Sequence, residues 1–215
     1  MRDQILQHII AALNQRQAQD FFFREEDIQL YLANYFIQTT QYNRVFIEYH
    51  VPKLDNYPWA NNKIYIDIVL EHNGIFYPIE IKYKTTKQKL SNVAIFGNSV
   101  YDMNLQHHGA KDIGCYDFWK DIKRIEIFED TFPNCERGVV LFVSNDLTYQ
   151  KPPSNYLVSY AQFSINNGRN VPANKTLNWN GNPSVAIGRP QITTRYNYII
   201  NWTAMNIDQH HYILT

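Results

Sequence analysis

Cysteine is nearly absent from this 215-residue chain, with only Cys115 and Cys135 present. Two thiols with no Cys/His spacing around them build neither a disulfide framework nor a zinc site. They are expected to be buried or idle. Net charge is absent too. Twenty Lys and Arg balance twenty Asp and Glu, which excludes a global positive field as the attraction for a nucleic-acid partner, so any basic surface must be local. Long apolar runs are also missing. Met1 to Gln17 carries Arg2, Asp3 and Arg16 in a broken apolar pattern, unlike a secretory signal or the roughly 20 apolar residues of a membrane span. The expectation is a soluble, cytoplasmic protein, in which the Asn-x-Thr sequons at Asn174 and Asn201 carry no weight. No repeat, charge block or linker divides the chain, so residues 1–215 read as a single domain with a core over about 25–145.

What the sequence does have is apolar and aromatic material, 45% hydrophobic and 15% aromatic against 19% charged, enough to fold. Ile5, Leu6, Ile9, Ile10 and Leu13 recur at helical spacing and predict an amphipathic helix over 3–16. A second helix is expected over 25–37, with Glu25, Glu26 and Asp27 in its first turn, where the helix dipole favours negative charge. Strand signals follow at 45–51, 63–70 and 75–83, and His72-Asn73-Gly74 makes the last two a hairpin. Residues 90–112 read as mixed and helical in part, 116–126 as an amphipathic helix, and 138–144 (GVVLFVS) as a fully buried strand. Beyond 145, Pro152, Pro153 and two Asn-Gly pairs, Asn167-Gly168 and Asn180-Gly181, punctuate short runs, of which 196–202 is the best strand. The fold class is therefore mixed α and β.

Two of these strands contain charge where a core strand should have none. Asp67 interrupts the apolar run from Ile64 to Leu70, and a buried carboxylate is costly unless it is paired or binds a metal. On the next strand the side chains alternate, so Glu80 and Lys82 share one face while Ile79, Ile81 and Tyr83 share the other. The hairpin brings Asp67 beside that strand, because neighbouring strands lie about 4.8 Å apart. Two carboxylates there could share a hard cation such as Mg²⁺, which keeps several waters and contacts phosphate. Lys82, a compact point charge, could orient or deprotonate a water or neutralise charge developing on phosphorus.

Asp67, twelve residues, then Glu80-Ile81-Lys82 resembles the PD-(D/E)XK nuclease superfamily. The resemblance implies a restriction-endonuclease-like core, a mixed sheet flanked by helices, to which the punctuated stretch beyond 145 would add an irregular β-rich C-terminal part, and it implies cleavage of nucleic acid, DNA first and RNA as an alternative. It assigns Asp67, Glu80 and the Ile81 carbonyl as ligands of Mg²⁺ or Mn²⁺, and Lys82 as the residue assisting catalysis. Acidic residues on an early helix and on the preceding strand are frequent in that superfamily, and Glu26 (or Glu25) and Glu48 match them. Asn62-Lys63-Ile64-Tyr65-Ile66 stands where the motif's proline would be, a departure many members share. AKDIGCYDFWKDIKRIE and GVVLFVSND look like the helix and strand that complete the fold.

Other residues invite plainer readings. Lys84, Lys87 and Lys89 follow the E-x-K strand, where phosphates would need neutralising, but a solvated loop explains each as well. His107-His108 and His210-His211 lack metal spacing, and packing or surface roles are favoured. Asp121 and Arg124, three apart on a helix that also carries Asp117, form an intrahelical ion pair in the simplest account. Two other functions remain open: a catalytically silent nucleic-acid-binding or assembly module of the same fold, and a protein- or small-molecule-binding domain with the Tyr- and Asn-rich tail as its surface.

Overall fold

The computed structural model describes residues 1–17, 21–55, 57–59, 63–97, 99–206 and 209–215. Its first helices, α1 (Arg2–Gln15) and α2 (Glu25–Gln38), each bury one stripe, Ile5, Ile9, Ala12 and Leu13 on α1 and Ile28, Leu32, Ala33 and Phe36 on α2. The start of α2 is fixed by Asp27, whose Oδ2 accepts the N–H groups of Phe23 and Arg24 at 2.8 and 3.2 Å, satisfying amides that a helix start leaves without partners. Three antiparallel strands follow, β1 (Arg44–Val51), β2 (Ile64–His72) and β3 (Ile75–Lys84). The turn joining β2 to β3 is Asn73-Gly74 with φ of 52° and 80°, the left-handed pair that tight hairpins need. Of the run in which the motif's proline is replaced, Asn62 lies outside the described residues.

The region 90–112 corrects the partly helical expectation. It is mostly an antiparallel hairpin, β4 (Gln88–Ile95) with β5 (Ser99–Leu105), and helix begins only at Lys111. A shift in register between Leu90 and Val93 breaks the strict alternation by which a strand is recognised. The helix that follows, α3 (Lys111–Thr131), extends well beyond the expected 116–126 and returns the chain to β6 (Val139–Ser144), which pairs parallel to β3. At the start of this pairing Gly138 lies so near β3 that a Cβ would stand 1.9 Å from the Pro78 carbonyl oxygen.

The remaining strands are short: β7 (Arg169–Val171), β8 (Thr176–Leu177), β9 (Ile192–Thr193), β10 (Tyr198–Ile200), β11 (Thr203–Ala204) and β12 (His211–Leu214). Within the 196–202 stretch only β10 is a strand, and it pairs with β7 away from the main sheet. β12, which has no clear strand pattern in the sequence, adds to β6 instead. The main sheet therefore runs β1-β2-β3-β6-β12-β11 and reaches past residue 145.

Alternation on β3 and β6 divides the core into two layers. Ile79, Ile81, Tyr83, Val139, Leu141 and Val143 pack with α1 and α2, whereas Val140 and Phe142 pack with Tyr116, Phe118, Trp119 and Ile122 of α3 and with the irregular C-terminal part. Glu80 and Lys82, paired in register with Val140 and Phe142, thus face α3. Cys115 is buried and Cys135 half-buried, both as free thiols. Among the described residues no helix is long and apolar enough to cross a membrane.

Candidate functional site

The site begins where the β2–β3 ladder stops. Pairing runs from His72↔Ile75 to Ile68↔Ile79, and one residue further along β2 the carboxylate of Asp67 takes the place of a peptide group. Its Oδ2 accepts the Ile81 N–H at 2.5 Å. A side chain inserted between two strands forces them apart, and the gap opens beside Glu80 and Lys82.

Four elements contribute charge to this gap. Lys82 Nζ lies 3.2 Å from Glu25 Oε1 on α2 and 3.5 Å from Asp121 Oδ2 on α3, and it donates to the Ile81 carbonyl at 3.1 Å. Glu25 Oε2 accepts the Tyr83 N–H at 3.0 Å, which ties the start of α2 to β3. Arg124 on α3 sets Nη2 3.0 Å from Glu80 Oε1 and Nη1 3.3 Å from Asp121 Oδ1, and also donates to the Tyr65 carbonyl of β2. Glu80 and Asp121 are each only 1% exposed.

Their satisfaction is incomplete. Despite the ion pairs, Glu80 Oε1 and Asp121 Oδ2 are buried without a hydrogen bond. Glu126, equally buried one turn along α3, differs: it accepts the Arg195 N–H at 2.8 Å and the Tyr198 hydroxyl at 3.0 Å, and pairs with Lys123 at 3.1 Å. Glu126 anchors the C-terminal part, while the Glu80–Asp121 pair holds acceptor capacity in reserve. When all are ionised, the four carboxylates of Glu25, Asp67, Glu80 and Asp121 face two fixed cations, Lys82 and Arg124. Among the described residues this set thus holds two more carboxylates than cations.

Burial, ahead of the charge balance, sets the protonation states. Burial pushes Asp67 up to about 7, against the pull of Lys82, and nearby Glu25 and Asp121 add to the rise. Burial likewise raises Glu80 well above the usual carboxylate range despite Arg124. Burial alone would lower Lys82, but Asp121, Glu25, Asp67 and Glu80 outweigh it and hold the ammonium above its ordinary value. Asp117, one turn before Asp121, is raised by burial and by Asp121.

Asp67, Glu80, Lys82 and the Ile81 carbonyl are therefore together, as the sequence pattern requires. The helix acid beside them is Glu25. Glu26 is exposed on the other side of the turn, 3.9 Å from Arg24 Nε. Glu48 is also exposed, and it touches the site at one remove: Gln29 Nε2 donates to Glu48 Oε1 at 2.9 Å and to the Asp67 carbonyl at 2.6 Å. Lys84 is half-buried, Lys87 exposed, and Lys89 pairs with Asp102 at 2.6 Å. His108 Nδ1 lies 2.9 Å from Thr85 Oγ1, and His210 stacks on Tyr83, both packing arrangements. Asp121 and Arg124 do form the intrahelical pair read from their spacing, but they also reach across to Lys82 and Glu80. Only the unusual burial of their helix face, flanked by Phe118, Trp119 and Ile122, hints at this in the sequence.

The two helix acids make a paired test. Glu26→Gln is expected to change stability by less than about 1 kcal/mol, as for a solvated first-turn charge, whereas Glu25→Gln, which gives up the ion pair to Lys82 and weakens the acceptor of the Tyr83 N–H, should melt clearly lower. Thermal melting of both variants decides it, and greater damage from Glu26→Gln would reverse the order. No protein-family model, curated protein or solved structure matches the chain.

Proposed function

We propose that this chain is a divalent-cation-dependent phosphodiesterase of the PD-(D/E)XK, restriction-endonuclease-like type, acting on nucleic acid and on DNA first. The observation that carries the reading is the meeting of Asp67, Glu80 and Lys82 at the β2–β3 gap, where Glu25, Asp67, Glu80 and Asp121 outnumber the cations Lys82 and Arg124. The order of elements supports it: helix α2, strands β1 to β3 and, after the inserted β4–β5 hairpin, helix α3 and the parallel strand β6 come in the order the resemblance implies.

Among the described residues no three His, Cys, Asp or Glu side chains form a ligand group. A cation here would lean on Asp67, Glu80, the Ile81 carbonyl and water, a donor set that suits Mg²⁺, which binds through one or two carboxylates and retains its waters. Glu80 Oε1, buried without a hydrogen bond and 3.0 Å from Arg124 Nη2, is the oxygen such a cation would take over. A bound cation would supply Lewis acidity toward a phosphate oxygen. The protein's own contribution is positional and electrostatic. Lys82, kept protonated by its carboxylates, acts as a donor and a positive charge beside the phosphate rather than as a base, stabilising the charge that builds up on the phosphate oxygens. Glu25 and Asp121 hold the Lys82 ammonium in place, and the Ile81 N–H fixes one oxygen of Asp67.

One observation favours a second reading. Arg124 already sits against Glu80 and Asp121, as an internal substitute for a cation would, which suits a catalytically silent nucleic-acid-binding module. Titrating Mg²⁺ and Mn²⁺ into the pure protein with single- and double-stranded DNA, wild type beside Asp67→Ala, separates the two. Cation-dependent cleavage lost in Asp67→Ala supports the enzyme, and binding without cleavage at every cation concentration supports the silent module.

A further inference from the structure

We propose that the β4–β5 hairpin is a wedge that enters duplex DNA beside the site and stacks the Phe96 ring on the bases, an inference that rests on the phosphodiesterase reading. Phe96, at the hairpin tip, is 99% exposed and has φ of 52°. A bulky residue is disfavoured in that left-handed region, where glycine or asparagine is usual, and Phe96 gains no burial in return. Val100 and Tyr101 on β5 add exposed apolar surface below it, at 61% and 55% exposure. Apolar side chains that insert between base steps are a recurring way for a protein element to grip a duplex, and a two-stranded ribbon fits the major groove.

The hairpin is also anchored to the site. Leu90, Val93 and Leu105 pack with Phe21 and Phe23, the segment that leads into Glu25, and Ile95 and Met103 join them, so the contact runs along one face of the hairpin. Thr85 Oγ1 donates to the Gln106 carbonyl at 2.6 Å, and Asn145 clamps Thr86 and Gln88, accepting the Thr86 N–H at 2.7 Å and donating to Gln88 Oε1 at 2.7 Å. The root is thus fixed directly after Lys82. Eight strand residues from Gln88 to Ile95 carry the tip about 25 Å from the root at ~3.3 Å per residue. That reach covers about seven base pairs at ~3.4 Å each. Charge agrees with the partner. In a chain of zero net charge, residues 84–105 hold Lys84, Lys87 and Lys89 against a single acid, Asp102. Lys89 is paired with Asp102, and Lys84 and Lys87 remain to meet phosphates.

The test uses full-length protein carrying Lys82→Ala, so that bound DNA stays whole, and duplexes with the fluorescent base 2-aminopurine placed at successive positions. Fluorescence should rise at one or two adjacent positions on binding. Adding Phe96→Ala should abolish the rise and weaken binding about tenfold, within the range measured for base–aromatic stacking, while Phe96→Trp should keep both. In otherwise wild-type protein Phe96→Ala should hydrolyse bis(p-nitrophenyl) phosphate at an unchanged rate, because that diester has no base to stack. Unchanged duplex binding by the Phe96→Ala protein would overturn the wedge, and hydrolysis of the small diester would leave the phosphodiesterase reading standing. Wild-type protein that neither hydrolyses the diester nor binds duplex overturns both. If Phe96→Ala instead removes self-association in sedimentation or binding to lipid vesicles, with no fluorescence rise in the parent, the tip contacts protein or membrane and the wedge is overturned.

Discussion

Replacing Lys82 by Ala is expected to lower cleavage of DNA by about 10²–10³-fold or more, as for loss of a preorganised donor at a developing charge, while divalent-cation binding stays nearly intact. Asp67→Ala should lose both. The difference follows from what each side chain touches: Lys82 Nζ contacts Glu25, Asp121 and the Ile81 carbonyl, whereas Asp67 offers a carboxylate at the gap itself. Calorimetry with Mg²⁺ or Mn²⁺, read beside turnover, checks both variants. A Lys82→Ala protein that cleaves normally removes Lys82 from the mechanism.

Asp67→Asn is expected to stabilise the cation-free protein at neutral pH while removing its activity. Asp67 has a folded-state value of about 7 against 3.8 ordinarily. Between these values the folded chain retains a proton that the unfolded chain has released, so stability falls as pH rises from about 4 to about 7. The loss is on the order of a few kcal/mol at one pKa unit per ~1.4 kcal/mol, and the raised Glu80 extends it upward. The raised Lys82 does not enter this window, because it is protonated in both states there. The amide of the Asp67→Asn side chain can still accept the Ile81 N–H and has no charge to bury. Melting from about pH 4 to 7.5 should therefore show wild type and Asp67→Asn converging at the acid end and the variant melting higher at the neutral end. Mg²⁺ should raise the wild-type melt at neutral pH and hardly at acid pH, because cation and proton compete for one carboxylate. A wild-type protein that is more stable than Asp67→Asn at neutral pH without cation contradicts the buried-charge account.

How much of this was legible in the sequence depended on how local each signal was. Asn73-Gly74 fixes its own turn, Glu80 and Lys82 share a face by alternation alone, and Asp67 stands out because nothing else in its strand is charged until Glu71 near the turn. The choice between Glu25 and Glu26 depends on where the first helical turn begins, and a shift of one residue exchanges their directions. Asp121 and Arg124 satisfy each other locally, so their cross-contacts to Lys82 and Glu80 leave no trace in the spacing. β4 and β5 escape notice because a register shift and polar residues such as Ser91, Asn92 and Asn104 disrupt their alternation. β12 is only four residues long and gains strand character from β6, which lies far upstream.

The position of Glu48 also bears on how the protein avoids its own copies. β1 is the outer strand of the sheet, and an outer strand displays a row of unpaired peptide groups on which another chain can build. Glu48, at φ 51° in mid-strand, interrupts that row and is the one position of β1 not paired with β2, leaving Arg44–Ile47 on one side and Tyr49–Val51 on the other. Neither piece offers a long straight template, and the exposed carboxylate adds a charge that an incoming strand would have to strip of water. The same break that brings Glu48 to Gln29 behind Asp67 thus leaves this edge of the sheet a poor template for a second copy.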